Sequence, residues 1–127
     1  MNRIRCLVCC QSGATIVEFA VALGAFLMLI FGIINISRVL WTLSSLHYAA
    51  EAAARCASVN SVTCGSANAI QTYALNQYNG ENLGGTNPFV YTAAGCGNTV
   101  TATYTYSLVI PLAGTWSLPL SAAACFP

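Results

Sequence analysis

The sequence predicts an α+β protein in which a long N-terminal helix packs on a small antiparallel sheet. Three observations lead to this prediction. An apolar run that starts near Ala14 contains one acid, Glu18, and then no charge before Arg38. A helical pattern continues from there to Ser58 without glycine or proline. Further on, apolar and polar residues alternate over residues 99–108, which is typical of a half-buried strand.

The apolar run is long enough to cross a membrane. At about 1.5 Å per residue it covers a hydrocarbon core of roughly 30 Å, so we expect a transmembrane segment that ends at about residue 37. Arg3 and Arg5 precede the run, whereas Arg38 alone follows it closely. The positive-inside rule then places the N-terminus in the cytoplasm and the C-terminal part outside. The expected location is the inner (cytoplasmic) membrane, which the chain crosses once.

The start of the apolar run carries a motif. A carboxylate at Glu18 costs on the order of a few kcal/mol in lipid unless it is neutralised. The motif resembles the prepilin-peptidase site of type IV pilin-like proteins: Gly13-Ala14-Thr15-Ile16-Val17-Glu18-Phe19-Ala20. With Phe31-Gly32-Ile33-Ile34 and Arg38-Val39-Leu40-Trp41, it resembles more narrowly the TadE-like pseudopilins of tight-adherence pilus systems. This resemblance covers about residues 13 to 57, and it departs from the family at Gly24 and Asn35, where the family often has proline and an acid.

The resemblance implies a pilin-like fold and an assembly function. Residues 1–13 would be a cytoplasmic leader that a prepilin peptidase removes between Gly13 and Ala14. Glu18 and Phe19 would then serve in assembly with other pilin and pseudopilin subunits on a pilus assembly platform, with Glu18 neutralising an N-terminal amine. The implied product is a minor pilin needed for a tight-adherence pilus in surface attachment and biofilm, either held in the membrane or incorporated in the pilus. Major subunits of such pili have little beyond the helix, which is why a minor role is implied here.

The cysteines divide at the same point in the chain. Cys6, Cys9 and Cys10 precede Gly13, and an even set follows the apolar run: Cys56, Cys64, Cys96 and Cys125. Four cysteines in an oxidising compartment allow three disulfide connectivities. The local candidate pair is Cys56 with Cys64, which leaves Cys96 with Cys125. This division fits cleavage at Gly13 independently of the family resemblance.

Composition argues against several classes of function. Charged residues make up 6% of the chain, with no Lys or Asp and a net charge of +1, so no basic surface for nucleic acid is expected. The single histidine, His47, has no visible nucleophile or orienting partner, and one CxxC spacing is a weak metal or redox signal. We therefore expect no enzyme activity, no catalytic residues, no cofactor and no metal. The alternative that stays open is an uncleaved, membrane-anchored extracytoplasmic binding domain whose Thr- and Tyr-rich strand forms the recognition face.

Residues 14–58 are predicted to form one helix whose outer half is amphipathic. Glu51 and Arg55 are correctly spaced for an i,i+4 ion pair on its polar face, together with Ser44 and His47. The apolar stripe that should pack on the sheet contains Val39, Leu43, Leu46, Ala50, Ala53 and Ala57.

Residues 59–127 predict an extracytoplasmic α+β domain. A turn over 60–65 leads to a short helix that Ser66 caps and that ends near Tyr78, followed by a loop over 79–88. Three strands should follow: 89–91, the alternating segment, and a last strand that Pro119 suits to an edge. The inward side chains expected on the two longer strands are Val100, Ala102, Tyr104, Tyr106 and Leu108, then Trp116, Leu118 and Leu120.

Overall fold

The protein is described here by a computed structural model that covers residues 11–110 and 114–127. Its elements are helix α1 (Gln11–Val59), helix α2 (Ala67–Gln77) and strands β1 (Phe89–Ala94), β2 (Gly97–Ile110) and β3 (Gly114–Phe126). The strands form one antiparallel sheet in the order β1-β2-β3. The predicted α+β class, with a long apolar helix and a small antiparallel sheet, is confirmed. Residues 1–10 of the predicted leader lie outside the described residues, as do residues 111–113 between β2 and β3.

The chain divides into two compact units, Met1–Asn35 and Ile36–Pro127. The first unit contains the N-terminal part of α1, in which every residue from Thr15 to Ile34 is exposed except the half-buried Ile30. The second unit, which we call the head, contains the rest of α1, α2 and the sheet. The hydrophobic core lies entirely in the head.

Small side chains form the face of α1 that is buried in the head. Leu46, Ala49, Ala50, Ala53 and Ala54 are completely inaccessible to solvent. Leu46, Ala50 and Ala53 belong to the predicted stripe, but the buried face is wider than that stripe because it includes Ala49 and Ala54. Alanine has only a methyl group, so the backbone of α1 can lie close to the elements that cover it.

The sheet supplies the larger side chains of the core. Along β2 the buried positions Val100, Ala102 and Tyr106 alternate with more exposed threonines and serine, which confirms the predicted inward face. From β1, Phe89 is 2% exposed and pairs with Ala102 across the sheet. From β3, Leu120 and Ala122 complete the inner layer. The core of the head is thus an alanine-rich helix face against mixed aliphatic and aromatic residues.

Strand β3 is an edge strand, as Pro119 predicts. It is longer than expected, since its pairing with β2 continues from Gly114 to Phe126. Trp116 and Leu118 lie opposite the inward-facing Leu108 and Tyr106, but they are 64% and 42% exposed. Of the three residues predicted to line this face, only Leu120 is therefore part of the core.

Local hydrogen bonds fix the connection between α1 and α2. The Asn60 side-chain carbonyl accepts the backbone N–H groups of Val62 and Thr63, which forms the predicted turn. The Ser66 hydroxyl then accepts the Ala69 N–H at 3.3 Å and caps α2, as predicted. Ile70 and Ala74 of α2 are buried.

Two disulfides close the head. Cys56 near the end of α1 is joined to Cys64 in the turn, with 5.9 Å between the Cα atoms. Cys96 in the β1–β2 turn is joined to Cys125 near the end of β3, with 6.4 Å between the Cα atoms. Next to the second bridge, Gly97 has a φ of +126°, and a Cβ there would collide with the backbone of Phe126. The bridges link sequence positions 8 and 29 residues apart.

Because a bridge across a longer loop removes more entropy from the unfolded chain, the two disulfides are expected to differ in their contribution. The chain-entropy relation gives about 2.5 kcal/mol for the first loop and about 3.6 kcal/mol for the second. Paired Cys56→Ala/Cys64→Ala and Cys96→Ala/Cys125→Ala variants should both lower the denaturation midpoint of the detergent-solubilised protein, the second pair more. Each variant is the control for the other, and the reverse order would contradict this assignment.

Candidate assembly and membrane-contact site

The residues of the predicted cleavage site lie at the beginning of α1. Gly13 and Ala14 both fall within the helix, and Glu18 follows Ala14 by four residues. Positions i and i+4 share one face of a helix, and helical side chains lean toward the N-terminus. A carboxylate at position 18 is therefore directed toward the backbone nitrogen of residue 14. The geometry suits an interaction between that carboxylate and an amine at Ala14.

Glu18 stands out among the polar groups of the apolar segment. It is exposed on α1, and no hydrogen bond or ion pair reaches its carboxylate from residues 11–110 or 114–127. By contrast, the side-chain amide of Asn35 donates a hydrogen bond to the Phe31 carbonyl at 3.0 Å. The Asn35 amide thus has one partner within its own helix, whereas the Glu18 carboxylate needs an external partner if it enters lipid.

The surface around Glu18 is apolar. The helix is long and apolar enough to cross a membrane, and none of its most apolar stretch is buried. The large side chains exposed in this unit are Ile16, Val17, Phe19, Val21, Leu23, Phe26, Leu27, Met28, Leu29, Phe31, Ile33 and Ile34. Such a contiguous apolar surface marks a membrane or subunit contact.

Within the head, the segment after α2 is tied back to α1. The indole N–H of Trp41 donates to the Asn79 carbonyl at 3.0 Å, and the Asn79 N–H donates to the Ser45 hydroxyl at 2.8 Å. Tyr78 adds two further contacts. Its hydroxyl donates to the Glu81 carbonyl at 2.9 Å, and its ring packs edge-on against Phe89. These contacts were not predicted from the sequence.

Two hydroxyl groups of α1 near this segment differ in their hydrogen bonding. Ser45 is used as an acceptor, as described, whereas the buried Thr42 hydroxyl makes no hydrogen bond with any described residue. Burial, and then the nearby Tyr104 hydroxyl, raises the pKa of Tyr78. The Thr42 hydroxyl opposes that shift in pKa although it lies outside hydrogen-bonding geometry. Thr42 and Ser45 lie on the same helix face as Leu46 and Ala49, because the four residues are three or four positions apart. This spacing is the feature of the sequence that could have indicated that the two hydroxyl groups are buried.

The polar face of α1 in the head is exposed as predicted, but one expected contact is wrong. Ser44, His47, Glu51 and Arg55 are all exposed. Glu51 and Arg55 form no ion pair, although both lie in the described part of the chain and line one open groove with Tyr73. Exposed ion pairs of this kind stabilise a helix by only a few tenths of a kcal/mol, so solvation of the two charges competes easily.

The surface of the sheet bears on the alternative of a binding domain. The tyrosines and threonines of β2 lie on opposite faces, since Tyr106 is buried and Tyr104 half-buried while Thr103, Thr105 and Ser107 are exposed. A combined Thr- and Tyr-rich recognition face is therefore not formed. Among the described residues, no group of three or more His, Cys, Asp or Glu side chains lies close enough to hold a metal ion.

Comparison with known families identifies one segment of the chain. Residues 13–55 match the family described as TadE-like protein. These are 43 of the 127 residues, about a third of the chain, and they confirm the resemblance found in the sequence. Neither the curated proteins nor the solved structures give a match. Over this segment the chain is similar to TadE-like proteins, and the exposed apolar helix that contains the segment indicates membrane anchoring.

Proposed function

We propose that this protein is a minor pilin that a prepilin peptidase processes after Gly13 and that a tight-adherence pilus needs for its assembly. The observation that carries the proposal is the TadE-like match, which starts at Gly13 and includes Glu18 and the whole exposed apolar surface. A segment of this kind is suited to storage in the membrane and then to packing against equivalent helices of other subunits.

Glu18 is the proposed assembly determinant. Before processing, its carboxylate lies near the inner end of the apolar segment, where it has no partner among the described residues. Cleavage creates a positively charged amine on Ala14, and neighbouring subunits on the assembly platform bring such an amine to the same carboxylate. The gain comes from a low-dielectric setting, in which a close opposite charge offsets the cost of an isolated carboxylate.

The head supports a minor role. It contains two disulfides and a three-stranded sheet, all of which follow residue 55, the last residue of the family match. A head of this size on every subunit must be accommodated along the whole filament surface, whereas a head on a few subunits at one end is not so constrained. The protein therefore acts as a scarce component in surface attachment and biofilm formation.

The first prediction concerns the charge of Glu18. Glu18→Ala and Glu18→Gln should reach normal membrane levels, because both remove a charge that is costly in lipid. Both should nevertheless lose piliation, since neither offers a partner for the amine. Glu51→Gln is the matched control, because it removes an exposed carboxylate from the head. The measurements are immunoblots of membranes and electron microscopy of the cell surface, and normal piliation in the Glu18→Ala strain would contradict the assembly role.

The second prediction concerns abundance. Deletion of the gene should reduce or abolish piliation, and complementation should restore it. Quantitative mass spectrometry of sheared pili should find this protein far below the amount of the main fibre subunit. Equal amounts of the two proteins would show that it is a main subunit, and normal pili in the deletion strain would rule out a role in assembly.

A further inference from the structure

Trp41 combines a largely exposed ring with a satisfied polar group. Its side chain is 66% exposed, yet its indole N–H is bound to the Asn79 carbonyl at 3.0 Å. Asn79 is in turn held by the hydroxyl of Ser45, which is 8% exposed. The ring is thus fixed by the protein while its apolar surface remains open. An exposed indole usually needs water or a lipid headgroup for its N–H, and here it needs neither.

The chain position of Trp41 places it next to the membrane boundary. Residues 19–37 carry no charge and lie between Glu18 and Arg38. At about 1.5 Å per residue they extend roughly 28 Å, close to the thickness of one hydrocarbon core. Arg38 therefore lies at the outer boundary, and Trp41 follows within one helical turn. Its ring lines an open groove with Ser44, Tyr48 and Asn79.

The neighbours of Trp41 on the helix have matching properties. Ile36 and Leu40 are 61% and 57% exposed on other faces of the same part of α1, so apolar side chains are open to the surroundings on several sides of the helix at this level. The exposed Arg38 can lay its aliphatic stem along apolar surface while its guanidinium reaches the headgroups. Aromatic residues with an apolar body are enriched at this depth of a bilayer. Continuity with the membrane-spanning segment therefore identifies lipid as the partner of this patch.

We propose that Ile36, Leu40 and Trp41 form a contact between the head and the outer leaflet of the membrane, with the indole ring of Trp41 at headgroup level. The hydrogen bonds from Trp41 to Asn79 and from Asn79 to Ser45 couple the segment after α2 to that contact. The head is thereby held at the bilayer by more than the helix that enters it. This proposal rests on membrane anchoring and not on the pilus role, so the two can fail separately.

Tryptophan fluorescence of the full-length chain tests the contact. The chain has two tryptophans, so a Trp116→Phe variant leaves Trp41 as the only indole. This variant is reconstituted into phosphatidylcholine vesicles whose acyl chains are brominated either close to the headgroup or near the bilayer centre. Trp41 emission should be lost more strongly with the shallow bromines than with the deep ones, and iodide in the water should quench it weakly.

A matched control uses the same helix face at a greater distance from the bilayer. Tyr48 is 60% exposed and seven residues beyond Trp41, which is about 10 Å along the helix. In a chain with Trp41→Phe, Trp116→Phe and Tyr48→Trp, iodide should quench the emission and neither brominated lipid should. Iodide quenching of Trp41 without bromine quenching would overturn the contact by showing that the ring faces water. Protection of Trp41 from both quenchers would also overturn it, because a protein surface would then cover the ring.

Discussion

The structure depends on one constraint: a single helix has to satisfy two different environments along its length. From Thr15 to Ile34 the side chains of α1 are almost all apolar and, apart from the half-buried Ile30, exposed, so lipid or other apolar helices must cover them. From Thr42 onward one face of the same helix is buried by the head. Between these parts, the side-chain amide of Asn35 donates a hydrogen bond to the Phe31 carbonyl, which reduces the cost of the first polar side chain after Glu18. Within this segment Glu18 is the group that the fold does not satisfy, and that is why assembly is the natural place to look for its partner.

The alanine-rich face of α1 determines how the head is stabilised. An alanine-rich face gains little from each buried side chain, since burial of one methylene is worth only about 0.8 kcal/mol. The remaining stabilisation of the head has to come from the close approach of the backbones and from the larger residues of the sheet, such as Phe89 and Val100. Disulfides near the ends of α1 and β3 then restrict the unfolded chain of a small domain. The short connection between α1 and α2 is held by specific contacts as well: the side chains of Asn60 and Ser66 accept backbone N–H groups, and Cys64 is bridged to Cys56.

Much of the fold could be predicted because its signals are local. The alternation in β2, the cap at Ser66 and the edge position of Pro119 each depend on a few neighbouring residues. The contacts that were missed connect distant positions: the Trp41 indole and the Asn79 carbonyl are 38 residues apart. The width of the buried α1 face was also missed, because it depends on what covers the helix and not on its own periodicity.

The candidate site was predictable to a different degree. Gly13 and Glu18 were found by motif, and the family match begins at that motif. The roles proposed for these two residues involve a peptidase and neighbouring subunits, so no contact within the chain can reveal them. The ion pair expected between Glu51 and Arg55 was wrong for a related reason: correct spacing permits a pair, but solvent-exposed charges gain little from forming it.

Processing after Gly13 underlies the assembly role, because without it the amine that Glu18 is proposed to neutralise does not exist. Its most direct measurement is the intact mass of the protein recovered from membranes of a host with an active prepilin peptidase, compared with the same host lacking the peptidase. The predicted result is a chain that starts at Ala14 in the first host and the full-length chain in the second. Recovery of only the full-length chain from both hosts would contradict the assembly role and favour an uncleaved membrane anchor.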